Sequence, residues 1–376
     1  MHVCLVTETY PPEVNGVALT LQTLARGLRA HGHAVSLVRP RQPGVAAEAE
    51  FPELLVPGAR LPRYPDLRFG LPSPGRVRAF WRQHRPDVVY AATEGPLGWT
   101  CLRAAREIGA PVATGFHTRF DDYFGHYGLR LLTPLAFAWL RRFHNRAHAT
   151  YVPTRELADS LSARGIRNVH LLQRSVDVRR FDPAWRDPAL RARWGLAPDD
   201  LAVLYVGRIA PEKNLALAVR AFRALQAVRP EARFVWVGDG PARARLAQDN
   251  PDFVFAGVQR GDELARHYAS GDLFVFPSLT ETFGNVTLEA MASGVATVAF
   301  DYGAAREHID RPELGCAVAS GDEAAFVAAA VALAADDRRR RAIGASARAA
   351  LCRREGAGVA ARFADLLHDL HARHAA

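Results

Sequence analysis

The sequence is almost without lysine: of its 48 Lys plus Arg residues, 47 are arginine and one, Lys213, is lysine. Its four cysteines, Cys4, Cys101, Cys316 and Cys352, form no Cys-x-x-Cys and have no histidine pair at metal-ligand spacing. That excludes a zinc framework and leaves buried thiols of a reducing compartment. No apolar run approaches the ~20 residues that a membrane-spanning helix needs. The longest, residues 324–335, is mostly alanine and is bracketed by Asp322, Glu323, Asp336 and Asp337. The opening Met1-His2-Val3-Cys4-Leu5-Val6-Thr7-Glu8 is too short in apolar residues for a secretory leader, so a cytoplasmic protein is expected. There is no G-x-G-x-x-G, which argues against a nicotinamide dehydrogenase. The Asp-x-Asp spacing of metal-bound carboxylates is also absent, and the adjacent Asp121-Asp122 cannot both face one ion from a regular helix. No metal and no cofactor are therefore expected.

At 376 residues the chain exceeds one ordinary hydrophobic core, and two domains are expected. Short apolar runs alternate with amphipathic stretches, the signature of a parallel sheet covered by helices on both faces. Strands are expected at residues 2–7, 34–38, 88–91, 112–114, 150–152 and 169–172, with a helix over 17–30. The pattern then restarts with strands at 201–206, 233–237, 253–256, 273–277 and 296–300 and helices over 216–228 and 285–292. Pro183, Pro188 and Pro198 mark a linker, so the expected domains are 1–182 and 183–357, with a final helix near 358–374 packing back on the first. Residues 44–74, rich in Gly and Pro with little periodicity, read as a long functional loop or a mobile excursion.

Charge is unevenly placed. Residues 1–180 hold 24 Arg against 14 acids, while the remainder holds 24 Lys plus Arg against 25 acids. An arginine-rich composition is one source of this asymmetry, and an anionic partner is the other. With no zinc-finger spacing and no RNA-binding aromatic signature, an acidic membrane surface is favoured over nucleic acid. Residues 131–146 interleave Leu131, Leu132, Leu135, Phe137, Trp139, Leu140 and Phe143 with Arg141, Arg142 and Arg146 and follow Arg130. As a surface helix the segment would enter a headgroup region; as an internal helix it would pack on the first sheet with its arginines reaching water.

Three clusters carry chemistry. In the first, a strand hands over through Glu8-Thr9-Tyr10-Pro11-Pro12-Glu13-Val14-Asn15-Gly16 to a helix, where backbone N–H groups can approach a phosphate. In the second, Gly207-Arg208-Ile209-Ala210-Pro211-Glu212-Lys213-Asn214 follows a strand and contains the lone lysine. A compact ammonium beside a guanidinium suits diphosphate oxygens and can neutralise a pyrophosphate leaving group. In the third, Glu281 and Glu289 flank Thr282-Phe283-Gly284-Asn285-Val286, placing two carboxylates near a helix start where open α/β sheets bind ligands. Carboxylates are good partners for vicinal hydroxyls.

Together, Tyr-Pro-Pro-x-x-x-Gly, Gly-Arg-x-x-x-x-Lys and Glu-x7-Glu with Phe-Gly between resemble retaining glycosyltransferase family 4, over most of the chain. Within it, Leu61-Pro62-Arg63-Tyr64-Pro65-Asp66-Leu67-Arg68, Pro96-Leu97-Gly98 and Phe116-His117-Thr118-Arg119-Phe120-Asp121-Asp122-Tyr123 resemble the branch of bacterial GDP-mannose-dependent α-mannosyltransferases and sulfoquinovosyl-lipid synthases. The resemblance implies the GT-B fold, two Rossmann-like doubly wound domains facing across a cleft. It also implies that Glu289 holds the ribose, and that Glu281 with the backbone of Phe283 and Gly284, at the helix start Asn285-Val286, holds the donor sugar. On the same resemblance Arg208 and Lys213 would hold the diphosphate, Gly16 would present its N–H to the same phosphates, and His117 would sit beside the transferred sugar. By spacing, the turn from Val258 to Asp262 would cradle the base. Arg174-Ser175-Val176-Asp177 departs from the family, which usually has glycine at the serine position.

The expected function is metal-independent transfer of a hexose, with GDP-mannose as the first choice of donor and a UDP-hexose or UDP-uronic acid next. The acceptor is a lipid headgroup or a glycan, and the enzyme is placed in the cytoplasm or peripherally on the inner face of a membrane. A nucleotide-sugar epimerase of the same architecture, or a non-enzymatic nucleotide-sugar binder, are the rivals from other classes.

Overall fold

The computed structural model describes residues 1–13, 16–42, 49–61, 64–117, 133–354 and 358–375. Asp121-Asp122, the Arg130–Leu132 end of the basic apolar segment and the later residues of the Phe116-His117 motif lie outside them. The chain divides into two compact units: Met1–Gln173 with the C-terminal helix Val359–Ala375, and Arg174–Gly356.

The first unit contains β1 (His2–Val6), β2 (Ala34–Pro40), β3 (Glu53–Val56), the hairpin strands β4 (Gly58–Leu61) and β5 (Tyr64–Gly70), β6 (Val88–Ala91), β7 (Val112–Gly115), β8 (Ala149–Val152) and β9 (Val169–Leu171). All but the hairpin form one parallel sheet in the order β3-β2-β1-β6-β7-β8-β9. The pleat sends alternate residues to opposite faces. Val3, Leu5, Tyr90 and Tyr151 therefore meet Leu21, Leu24 and Leu28 of the helix Gly16–Ala30 on one face. Cys4, Val6, Val89 and Ala91 meet Val77, Trp81, Leu97 and Phe143 on the other. The C-terminal helix adds Phe363, Leu366, Leu367 and Leu370 to the first of these cores.

The second unit contains β10 (Ala202–Val206), β11 (Arg233–Val237), β12 (Val254–Gly257), β13 (Leu273–Phe276), β14 (Ala296–Phe300) and β15 (Cys316–Val318). These form a parallel sheet in the order β12-β11-β10-β13-β14-β15. The central strands β10, β13 and β14 are buried throughout, as a sheet covered on both faces requires.

Two expectations are corrected, and the choice left open for the basic apolar segment is narrowed. Residues 44–74 are not a structureless loop: β3 pairs with β2 in parallel, and β4 and β5 form an antiparallel hairpin. The unit boundary falls at Gln173 and Arg174, ahead of the proline-marked stretch. The chain has already joined the second core at Val178 and Phe181, whose carbonyls accept from Arg348 Nη1 at 3.3 and 2.8 Å. In the helix Thr133–His144, Phe137, Leu140 and Phe143 pack inward, and only Leu135 (70% exposed) and Trp139 (52%) of the described apolar residues named above face solvent. Trp139 packs on Trp99 with ring centroids 4.9 Å apart and the rings tilted at 55°, and Arg146 lies 4.9 Å over the Trp99 ring.

The C-terminal helix crosses the helix Gly16–Ala30 at Gly27, where an added Cβ would stand 2.1 Å from Cβ of Ala360. Gly27→Ala is expected to lower stability by ~1–2 kcal/mol, crowding outweighing the better helix propensity of alanine. Ala360→Gly in the same chain should recover part of the loss. Thermal midpoints of the three proteins check this; a Gly27→Ala midpoint at or above that of the parent would refute the close crossing.

Candidate functional site

In an open parallel sheet, ligands bind beyond the carboxyl ends of the strands where the strand order reverses. In the second unit that point lies between β10 and β13. The loop after β10 is fastened to the next one: Gly207 N donates to Val237 O at 3.0 Å and Ile209 N to Asp239 O at 2.9 Å. A Cβ on Gly238 or Gly240 would stand 2.0 Å from Gly207 O or 2.3 Å from Ile209 O, so no side chain fits. The sequence reading passed over this Gly238-Asp239-Gly240 turn; its signal was glycine spacing immediately after a buried strand.

Arg208, Lys213 and Glu281 converge at the reversal. Arg208 Nη1 lies 3.4 Å from Oε1 of the buried Glu212, and Tyr205 Oη donates to Arg208 O at 3.0 Å. Thr280 Oγ1 donates to Glu212 O at 3.1 Å, joining the loops after β10 and β13. Lys213 Nζ donates to Glu281 Oε1, which also accepts from Ser278 Oγ at 2.9 Å, and Tyr302 Oη donates to Glu281 O. Side-chain exposures of 39% for Arg208, 13% for Lys213 and 20% for Glu281 leave all three reachable from solvent.

The remaining donor-side expectations lie on the same carboxyl-end face. Gly284, at φ +89°, opens the helix Asn285–Ala292 in a conformation that favours glycine. Phe283 is buried, and its carbonyl accepts from Ala304 N at 2.6 Å, an approach that needs Gly303, whose Cβ would stand 2.5 Å from that oxygen. Asn285 and Val286 occupy the first turn, whose N–H groups have no acceptor within the helix. Val258 is 49% exposed just past β12, and Asp262, in the first turn of the helix Gly261–Ala269, pairs with Arg180 at 3.8 Å. Glu289 lies farther along its helix, where Oε2 accepts from Tyr268 Oη at 2.9 Å. Part of the residue meets solvent, yet loss of hydration pushes its carboxyl up to about 7, the tyrosine bond only partly opposing the shift.

Gly16 and His117 belong to the first unit. Gly16 is the exposed first residue of its helix, and a Cβ there would meet nothing within 4 Å, so the chain's own packing does not demand glycine. His117 follows β7, with Nε2 2.9 Å from Tyr90 Oη. The first sheet reverses between β1 and β6, and a carboxylate of the protein fills that place. Glu8 accepts from the backbone N–H of Gly70 and, at 3.2 Å, from that of Leu97 at the start of the helix Pro96–Glu107. Burial pushes Glu8 up to about 7 in spite of these donors, and nearby Glu94 adds to the rise. Among the described residues, no group of three or more His, Cys, Asp or Glu side chains could hold a metal ion.

The family profile described as Glycosyltransferase Family 4 matches residues 14–180, and that described as Glycosyl transferases group 1 matches residues 200–336. Over 351 residues the chain is 36% identical to a GDP-mannose-dependent alpha-mannosyltransferase of Mycobacterium tuberculosis, covering 92% of this chain and 91% of that one. The chain belongs to glycosyltransferase family 4. An alpha-monoglucosyldiacylglycerol synthase of Streptococcus pneumoniae is 26% identical over 313 residues, 80% of this chain and 71% of its own. Sucrose-phosphate synthase from Thermosynechococcus elongatus superposes with a TM-score of 0.81 at 18% identity, covering 99% of each chain. The fold is that of the GT-B glycosyltransferases, and this family-4 enzyme is a hexosyltransferase.

The Glu289 shift has a direct consequence. An acid with a raised folded pKa contributes stability that is fully present below its unfolded value, near 4.5, and is lost as pH rises through about 7. Relative to Glu289→Gln, the parent should therefore lose an extra ~1–3 kcal/mol between pH 5 and pH 8. Thermal midpoints of both glycosyltransferases, without ligand, at the two pH values measure it; equal losses would show that the carboxyl ionises normally.

Proposed function

We propose that this enzyme transfers mannose from GDP-mannose, with retention at the anomeric carbon and without a metal, to a lipid headgroup or a glycan. The observation that carries the reading is the pair Arg208 and Lys213 at the strand-order reversal, the place where an open α/β sheet receives a diphosphate. The 36% identity to a GDP-mannose-dependent alpha-mannosyltransferase supports the choice of donor. Glu289 holds the ribose hydroxyls, and Glu281 with the backbone of Phe283 and Gly284 holds the sugar. The first turn at Asn285 and Val286 turns its N–H groups toward the donor. The span from Val258 to Asp262 receives the base. Gly16 offers its N–H to the phosphates, and His117 stands beside the sugar.

The acceptor hydroxyl attacks the anomeric carbon from the face that the diphosphate leaves. The bond from that carbon to the β-phosphate oxygen breaks, the bond to the acceptor oxygen forms, and the departing phosphate takes the hydroxyl proton. Arg208 and Lys213 stabilise the charge developing on the leaving group. Donor binding also redistributes the Lys213–Glu281 pair: Lys213 turns donors to phosphate while Glu281 gains sugar hydroxyls.

Among GDP, UDP and ADP, GDP should raise the thermal midpoint most, since a ligand at 100 times its Kd stabilises the native state by ~2.7 kcal/mol. Mannose transfer from GDP-mannose should survive EDTA and fall by roughly 10²-fold in Lys213→Ala. A preference for UDP would reassign the donor. Loss of transfer in EDTA, restored by magnesium or manganese, would overturn the metal-free mechanism. A new nucleotide sugar formed without any acceptor would make the enzyme an epimerase.

We further infer a peripheral membrane location. Among the described residues no helix is long and apolar enough to cross a membrane. Leu135 and Trp139, exposed beside Arg141 and Arg142, form an apolar tip within a basic surface, and the diacylglycerol in the name of the Streptococcus pneumoniae relative favours a lipid acceptor. Co-sedimentation should show binding to vesicles of anionic lipid at low salt, release at high salt, little binding to zwitterionic vesicles, and weaker binding in Leu135→Ser/Trp139→Ser. No preference for the anionic vesicles would remove the membrane from the proposal.

A further inference from the structure

Glu289 lies in the helix Asn285–Ala292, and the protein engages its two carboxylate oxygens unequally. Oε2 accepts from Tyr268 Oη at 2.9 Å, while Oε1 has no protein donor among the described residues and belongs to a side chain that partly meets solvent. Tyr268 itself is fully buried. Its ring stands edge to face against Phe181, with centroids 5.7 Å apart at 81°, and against Phe274 of β13 at 6.1 Å and 69°. Phe181 is fixed in turn: its N–H donates to Asp177 O at 2.9 Å, and its carbonyl accepts from Arg348 Nη1 at 2.8 Å. The phenol is thus held on two sides by packing, whereas a glutamate on a helix must have several side-chain torsions fixed before its carboxylate has one position.

A bond from a hydroxyl to a carboxylate is charge-assisted and directional. Here it turns Oε2 inward and leaves Oε1 for a ligand. Tyr268 stands near the end of the helix Gly261–Ala269, whose first turn carries Asp262, so one side chain links that helix to the helix of Glu289. We propose that Tyr268 is a positioning residue: it holds Glu289 in the rotamer that meets the ribose, and so ties the element that receives the base to the element that receives the ribose. This rests on the readings of Glu289 and of the span from Val258 to Asp262 given under Proposed function. It adds to them a buried residue that the ligand does not reach. The charge balance agrees: burial pushes the Glu289 carboxyl up and the Tyr268 bond holds it down, so without the hydroxyl the carboxyl would keep its proton to higher pH and be a poorer acceptor.

The test is calorimetric titration of the full chain with GDP and with 2′,3′-dideoxy-GDP, which lacks both ribose hydroxyls. Base and phosphates are common to the two, so the ratio of their Kd values reads the ribose contact alone. In the parent at pH 8, GDP should bind roughly 10-fold tighter or more. Tyr268→Phe keeps the ring and removes only the hydroxyl; it should erase most of that ratio while dideoxy-GDP binds as before. The ratio should also climb with pH and level off above about 7 in the parent, and at a higher pH in Tyr268→Phe. Should Tyr268→Phe fail to fold, Phe181→Leu, which keeps the hydroxyl but loosens the ring, should lower the ratio in smaller measure. Should UDP bind in place of GDP, UDP and 2′,3′-dideoxy-UDP make the same comparison. An unchanged ratio and pH profile in the folded variant, while Glu289→Ala binds both nucleotides alike, would overturn the positioning role and leave Glu289 at the ribose. Equal weakening of GDP and dideoxy-GDP in Tyr268→Phe would also overturn it, reducing the tyrosine to packing. A parent that does not discriminate, or discrimination that survives in Glu289→Ala, would instead remove the carboxylate from the ribose, and Tyr268 with it.

Discussion

Both units obey one constraint: a parallel sheet buried on two faces sends every strand's carboxyl end to the same edge. Loops that follow strands distant in sequence therefore gather there, and the place where strand order reverses is the natural opening. In the second unit this brings Lys213 and Glu281 together across the loops after β10 and β13. The bond from Thr280 to Glu212 O ties the two loops to each other, while those from Tyr205, Ser278 and Tyr302 hold Arg208 and Glu281 in place. Without the reversal, Lys213 and Glu281, or Glu212 and Thr280, would not be neighbours.

The same edge in the first unit has the opposite electrostatic content. The start of the helix Pro96–Glu107, a place that favours an anion, already holds the carboxylate of Glu8, and Gly95 leaves it room, since a Cβ there would stand 2.2 Å from Glu8 Oε1. The first unit thus satisfies its own helix terminus. The second presents the cationic side chains of Arg208 and Lys213, both reachable from solvent.

Much of this was legible in the sequence. Buried strands such as β1 and β10 read clearly as uninterrupted apolar runs, and the spacing of Leu21, Leu24, Ala25 and Leu28 marks one helical face. The scarcity of lysine pointed to Lys213 before any geometry was known. β15, three residues long, and β3, which opens on an acid, carry too little periodicity to stand out. The unit boundary was misread because prolines mark local chain direction, whereas membership in a core depends on distant contacts such as Arg348 with Phe181. Tyr268 beneath Glu289 and Tyr90 beneath His117 were invisible for the same reason: buried tyrosines in apolar stretches look like packing until their hydroxyls are located.

The C-terminal helix has a further consequence, in the order of events during synthesis. Phe363, Leu367 and Leu370 complete the core that Val3, Leu5 and Tyr90 begin. A nascent first unit leaving the ribosome therefore lacks one wall of its interior while the whole of Arg174–Gly356 is being made. The second unit, with its residues contiguous, closes as soon as it emerges. The half of the molecule translated first is thus the half that finishes folding last, and until residues 359–375 arrive its apolar face is a surface for chaperones to cover.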